Sequence, residues 1–231
     1  MAGARQGGKT IYYGDSADNF DSHALLGTDN WWVWPDFNLL RYGYDGESLA
    51  QWTEKWSTWA WQAPASENPM LDTTGAYASV DNNGPVFFIA GTTSPLTSAD
   101  RTFDVPEGKP LLIPMLNFLD TEDPKSTEKG LVADFPDSVT SLFATIDGVS
   151  ITNPESDLVN TGFFSMGRTR PGSEVAALGA PVGSELSPTL GSGYWLMVSG
   201  LSPSEHTLTF GGAESNGFSV SVTDHINVVR G

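Results

Sequence analysis

Short apolar runs broken by turn residues set the narrowest limit on how this chain can fold. Near the C-terminus they are Tyr194-Trp195-Leu196-Met197-Val198, His206-Thr207-Leu208-Thr209-Phe210 and Phe218-Ser219-Val220-Ser221-Val222, the last leading into Ile226-Asn227-Val228-Val229. Ser202-Pro203-Ser204 and Gly211-Gly212 separate them. Side chains on a strand alternate between faces, so Phe218, Val220 and Val222 share one side and Ser219 and Ser221 the other. Upstream, residues 86–90 form an apolar run between Gly84-Pro85 and Gly91, 101–105 alternate, and 109–116 form a proline-marked run. Ala144-Thr145-Ile146 and Val149-Ser150-Ile151 flank Asp147-Gly148, a dipeptide suited to the positive φ angles of a type I′ hairpin turn. Strands at such intervals predict an all-β fold, a sandwich or jelly-roll-like arrangement of antiparallel sheets with one or two peripheral helices. At 231 residues, one domain spanning 1–231 is the simplest organisation.

The helical signal is local. Residues 11–62 hold seven of the eight tryptophans and are expected to pack on the sandwich. Within them Ser48-Leu49-Ala50-Gln51 has the form of a capping box, and Leu49, Trp52, Trp56 and Trp59 follow at spacings of three and four. This predicts an amphipathic helix from Ser48 to about Ala60, stopped by Pro64 and Pro69, with its indoles more suited to core than to ligand. Residues 120–138 are acidic and polar, a long loop or exposed helix, and a second element is expected within 126–142. The Gly/Ser/Pro-rich stretch 171–193 reads as a surface loop whose main apolar cluster is Val175-Ala176-Ala177-Leu178.

Charge excludes whole classes of partner. Twenty-eight acidic residues against 11 basic leave a formal net charge of -17, so nucleic acid and anionic membrane surfaces would be repelled. The chain has no apolar run of the roughly 18 residues needed to span a bilayer. Met1 to Thr10 is polar and lacks the apolar core of a secretory leader. With no cysteine, disulfides, thiolate metal sites and cysteine nucleophiles are all excluded.

Several segments together resemble a group of mostly uncharacterised exported bacterial proteins. They are Trp56-Ser57-Thr58-Trp59, Asn68-Pro69, Asp72-Thr73-Thr74-Gly75, residues 84–91, Arg101, Val105-Pro106-Glu107-Gly108-Lys109, Pro114 and Asn117, followed by Ile146-Asp147-Gly148 and Glu205-His206-Thr207. The resemblance is densest over 52–117. It implies an exported, extracellular or periplasmic β-rich domain, and it brings Asn68, Lys109 and Asn117 forward as ligand-binding candidates. In that group's pattern cysteines stand where this chain has Ala78 and Phe103, so the corresponding bridge is missing here.

Four constellations could carry chemistry. Arg101 and Lys109 are the only basic residues between Lys55 and Lys125, so a carboxylate such as Asp72 or Asp81 could pair with Arg101 as a catalytic group or as a structural clamp. Paired carboxylates among Asp72, Asp81, Asp120, Glu122 and Asp123 could serve glycoside cleavage, which needs two acids across a sugar. Asp15, Asp18 and Asp21 recur at three-residue spacing in a loop suited to calcium, or form a plain acidic loop. Trp31 and Trp32 point to opposite faces if extended, so with Trp34 they offer an exposed aromatic surface for a sugar or a partner protein. His23, His206 and His225 lack zinc-site spacing, and no G-x-S-x-G elbow occurs. Gly3 to Thr10 matches the phosphate-loop string G-x-x-x-x-G-K-[ST] without the strand and helix that it requires.

Two functions follow. The first is an exported acidic binding or surface-associated module for a carbohydrate or other extracellular polymer, or a small molecule, with calcium as its candidate cofactor. The alternative is a hydrolase or lyase acting on such a polymer through Asp72 or Asp81 with Arg101.

Overall fold

The computed structural model describes residues 2–6, 9–13, 37–121, 134–152 and 157–230. In chain order its strands are β1 (Ala2–Gln6), β2 (Lys9–Tyr13), β3 (Asn38–Leu39), β4 (Gly43–Tyr44), β5 (Glu47–Ser48), β6 (Phe87–Phe88), β7 (Ser98–Pro106), β8 (Leu111–Asp120), β9 (Val139–Ile146), β10 (Val149–Ser150), β11 (Leu158–Asn160), β12 (Leu190–Ser199), β13 (Glu205–Glu214) and β14 (Ser219–Val229). One five-stranded sheet has the order β10-β9-β13-β14-β7, and the other runs β11-β12-β8-β6 with β3 also paired to β12. The fold is the expected all-β, sandwich-like one. Two pairings depart from the antiparallel expectation, since β7 runs parallel to β14 and β6 parallel to β8. From β6 the chain crosses to the opposing sheet as β7 and returns as β8, so β6 and β8 point the same way.

The main core lies between the sheets. Val220, Val222, Ile226 and Val228 of β14, with Leu208 and Phe210 of β13, meet Leu111, Ile113, Met115 and Leu116 of β8 and Tyr194, Leu196 and Val198 of β12. The other face of β8 and β12 is buried as well: Leu112, Trp195 and Met197 belong to a second cluster with the helix α1 (Leu49–Gln62). A sheet covered on both faces needs apolar residues at consecutive positions, which is why these two strands read as unbroken hydrophobic runs. The register between them shifts at Tyr194/Trp195, and Met115 and Leu116 then face the same core. Beyond the shift, Gly193 is required by close approach, because a Cβ there would lie 2.5 Å from Trp195 Nε1 and 2.6 Å from Asn117 Cβ.

α1 starts with both bonds of the capping box: the Gln51 N–H donates to Ser48 Oγ at 3.3 Å and the Ser48 N–H to Gln51 Oε1 at 2.9 Å. It runs two residues past the expected Ala60 and stops before Pro64, with the Ala63 N–H still donating to the Trp59 carbonyl. Leu49, Trp52, Trp56, Trp59 and Ala60 make its buried face. Each of the three indoles also donates outward, Trp52 to the Tyr44 carbonyl at 2.9 Å, Trp56 to Ile89 at 2.7 Å and Trp59 to Val80 at 2.7 Å. Burying an indole is worth roughly 4–6 kcal/mol of transfer free energy before ordering is counted, and these bonds tie the helix to three separate loops. Trp56 meets Trp195 edge-to-face at 5.0 Å between centroids.

The Asp147-Gly148 hairpin forms between β9 and β10, both residues having positive φ. Asp147 accepts from the Thr207 N–H at 2.8 Å and meets His206 Nδ1 at 2.7 Å, so His206 is a satisfied structural residue. A short helical stretch at 134–138 leads into β9. The phosphate-loop string falls across the antiparallel pair β1 and β2, with Gln6 opposite Lys9, so its lysine and threonine lie on a strand where the motif requires a helix.

Because the Trp56 bond to the Ile89 carbonyl is fully buried, Trp56→Phe orphans that carbonyl and leaves part of the indole's space unfilled. The expected loss is about 2–4 kcal/mol, read as a lower denaturant midpoint with an unchanged slope.

Candidate functional site

Arg101 sits where the alternation of β7 puts it, inward among Ala99, Phe103 and Val105, and is 2% exposed. Parallel pairing sets it opposite Asp224 of β14, itself 0% exposed at an inward position among valines and isoleucine. The guanidinium donates from Nε to the Asp72 carbonyl at 2.8 Å, from Nη1 to Ala90 at 2.5 Å and from Nη2 to Gly91 at 2.8 Å. It therefore fastens two loops to the sandwich edge. The Asp72 side chain closes its own turn, accepting from the Thr74 N–H and hydroxyl at 2.7 Å and from the Tyr77 N–H at 2.9 Å. Burial alone would raise the Asp72 carboxyl, but these bonds outweigh it and hold it below its usual range. Asp81 is exposed at a positive-φ turn position. The space beside Arg101 and Asp72 is about 10 Å³, at most one water, and Ala78 and Phe103 also line it. Asp72 and Arg101 thus meet in a closed clamp, Asp81 stands apart from it, and the three do not converge on an open cleft.

Asp224 is the charged residue that the sequence reading missed. Neither of its oxygens has a hydrogen-bond partner among the described residues, and its nearest cation is Arg101 Nη1 at 3.8 Å, too long for a hydrogen bond. Burial pushes its carboxyl up from 3.8 to about 7, against the pull of Arg101 and with help from Asp100 and Asp72. The same burial draws Arg101 down from its ordinary value, while Asp224 and Asp72 push it back up.

An open cavity lies elsewhere, where 161–189 folds back on the C-terminal end of α1. Gln62 anchors that segment: its Nε2 donates to the Met166 and Arg168 carbonyls, each at 3.0 Å, and its Oε1 accepts from the Arg170 N–H at 3.1 Å. Bridges Phe164–Thr189 and Arg168–Glu185 close the segment on itself, and a one-turn helix, Glu174–Ala177, is capped by Ser173. Residues 171–193, expected as a surface loop, are thus mostly built structure: 190–193 belong to β12, and Val175 and Leu186 form a small core with Met166. Between the 161–189 segment and the end of β8 is a groove of about 400 Å³, lined by Trp61, Leu119, Val175, Leu186 and Leu178 with the polar Thr121, Ser184 and Glu185. Leu178 is 63% exposed. Glu185 is paired with Arg168 at 2.6 Å, so among the described residues no unpaired charge lines the groove.

The other candidates divide. Asn117 lines a smaller cavity of about 90 Å³ that shares Trp61 with the groove. Asn68 is buried and structural, donating to the Ala60 carbonyl at 2.8 Å and accepting from the Met70 N–H at 2.8 Å, and it thereby satisfies a carbonyl near the end of α1. Lys109 is half-buried at the entry to β8, away from both cavities. Trp31, Trp32 and Trp34, and the calcium candidates Asp15, Asp18 and Asp21, lie outside the described residues. Among the described residues no group of three or more metal-ligating side chains comes together, and no helix is long and apolar enough to cross a membrane.

No protein-family model matches the chain, and no curated protein matches it. Among solved structures it is similar to the solution structure of amebosin at 14% identity, over 59% of this chain and 100% of that one, with a TM-score of 0.22. A likeness of that size carries no argument.

The buried pair has a pH signature. Asp224 binds its proton more tightly folded than unfolded, so its contribution to stability falls as pH rises from about 4 to about 7 and is flat above that. Asp72, held low, contributes in the opposite sense and only as pH drops through its lowered range. Asp224→Asn keeps the shape of the protonated group. Denaturant titrations are expected to show it more stable than the natural chain by a few kcal/mol at pH 8, with the difference vanishing near pH 4. A difference independent of pH would place the ionisation elsewhere.

Proposed function

We propose that the protein is a binding module that holds an uncharged extracellular polymer, in the first place a carbohydrate, in the groove between α1, β8 and 161–189. The observation that carries this is a contrast between two places. At Arg101 all three kinds of guanidinium nitrogen are engaged by backbone carbonyls, and no space is left for a substrate. At Trp61 an open groove combines an indole, exposed aliphatic walls and a hydroxyl- and carboxylate-bearing rim. That is the composition of a site that takes a sugar's C–H face on the ring and its hydroxyls at the rim. Among the described residues no unpaired charge lines the groove, which suits an uncharged ligand, and the net charge of -17 works against an anionic one. An extracellular setting rests on the resemblance of 52–117, and calcium remains the candidate cofactor for Asp15, Asp18 and Asp21.

Affinity electrophoresis through gels holding neutral soluble polysaccharides tests the reading, run with calcium and again with chelator, then stained for intact polymer. Retardation without clearing is expected. Leu178→Ser, an exposed groove position whose change leaves charge and core alone, is expected to restore free migration with an unaltered Tm. Clearing around the band would instead favour the hydrolase or lyase, and retention by the variant would remove the groove from the function. Release by chelator would bring calcium into the site.

A further inference from the structure

Two Asn-Gly dipeptides occur in the chain, Asn83-Gly84 and Asn216-Gly217, and both lie on the surface. Asparagine before glycine carries a latent intramolecular reaction, because the backbone nitrogen of the glycine reaches the side-chain carbonyl carbon when no Cβ restricts the main chain between them. The reaction needs a glycine N–H free to give up its proton, a side-chain amide free to rotate, and a main chain free to turn. The fold grants these to one site and withholds them from the other.

Asn216 sits in the connection between β13 and β14, and there all three are blocked. Its Nδ2 donates to Glu214 Oε2 at 3.0 Å, its Oδ1 accepts from the Phe218 N–H at 2.8 Å, and the Gly217 N–H donates to the Glu214 carbonyl at 3.1 Å. Gly217 is held at a φ of +95°. Ring closure at Asn216 breaks these three hydrogen bonds and the turn that joins two core strands.

Asn83 is released where Asn216 is held. Neither its side-chain amide nor the Gly84 N–H has a hydrogen-bond partner among the described residues. A Cβ built on Gly84 would meet only the Val86 carbonyl oxygen, at 3.8 Å, so the chain has room to turn. The preceding residue is anchored instead: buried Asn82 donates from Nδ2 to the Ala78 and Phe88 carbonyls at 3.0 and 2.9 Å and accepts from the Phe88 N–H at 3.0 Å. That side chain closes the base of the loop against β6, which leaves residues 83–85 as an exposed tip that can change apart from the core.

We propose that Asn83 is a self-modification site of this protein. The Gly84 backbone nitrogen loses its proton to base and bonds to Asn83 Cγ, the Cγ–Nδ2 bond breaks, and ammonia leaves behind a succinimide ring. Water then opens the ring at either carbonyl, giving aspartate or an isoaspartate whose main chain runs through the side-chain methylene. Nothing is oxidised or reduced, and water is the only co-reactant. Either product adds one negative charge to the formal -17, on a residue that lines neither the groove nor the space beside Arg101.

Peptide mapping by mass spectrometry tests it, on the full native chain kept at mildly alkaline pH and on the same chain in denaturant. Each conversion adds about 1 Da to a peptide; trypsin places Asn83 between Lys55 and Arg101 and Asn216 on a later peptide, and fragmentation locates the residue. In the folded protein Asn83 is expected to convert about tenfold faster than Asn216 or better, since only at Asn216 must three hydrogen bonds of ordinary strength be broken. In denaturant the two rates should come within about threefold, both sites then being open chain. Gly84→Ala, for which the fold has room, is expected to slow conversion at Asn83 about tenfold with an unchanged Tm. No conversion at Asn83 in the folded chain, conversion at Asn216 equally fast, a ratio that survives denaturant, or a rate indifferent to Gly84→Ala would each overturn the assignment.

Discussion

Everything outside the sandwich core follows from the need to cover the second face of β8 and β12. Leu112, Trp195 and Met197 point away from the opposing sheet, and left in water they would weaken the very strands that form the inner core. The helix α1 supplies the cover, and its tryptophans do so with rings large enough to reach the loops beyond the sheet. Because each buried indole N–H must find an acceptor, Trp52, Trp56 and Trp59 also fix the positions of the Tyr44, Val80 and Ile89 carbonyls. One packing requirement thus positions a helix and three loop segments. It also brings Gln62 to the edge of the sheet, where its amide holds 161–189 and so creates the groove.

The Arg101 and Asp224 pair shows how a buried charged residue can be held by structural contacts from several segments at once. Three carbonyls from two loops converge on one guanidinium, which no apolar residue could satisfy. The facing carboxylate receives no hydrogen bond from the described residues and is held toward its neutral form by burial. The clamp and the groove therefore divide the work. The first stabilises the edge where β7 meets β14, and the second remains open to a ligand.

Much of the fold was legible because local signals agreed with one another. The C-terminal alternation, the Asp147-Gly148 turn and the Ser48/Gln51 capping box each appear where they were expected. Asp224 was legible in principle, since one further step of the Phe218-Val220-Val222 pattern places it on the buried face. Its partner was not, because a parallel pairing between strands more than a hundred residues apart leaves no trace in local spacing. The groove was less visible still. Val175-Ala176-Ala177-Leu178 marked an apolar cluster in a Gly/Ser/Pro-rich stretch, and nothing local shows that Gln62 would gather it onto Trp61.

By itself the sequence determined strand and helix identity, the face each amphipathic element buries, and the exclusion of thiol chemistry, since these depend on side-chain type and on spacing within about ten residues. Only the tertiary structure decided that Arg101 is closed into a clamp and that Trp61, alone among the four indoles of α1, has an unpartnered N–H among the described residues. Those outcomes rest on which distant carbonyls and carboxylates arrive beside a given nitrogen. The packing of the two sheets and the covering helix settles that, and no one segment encodes it.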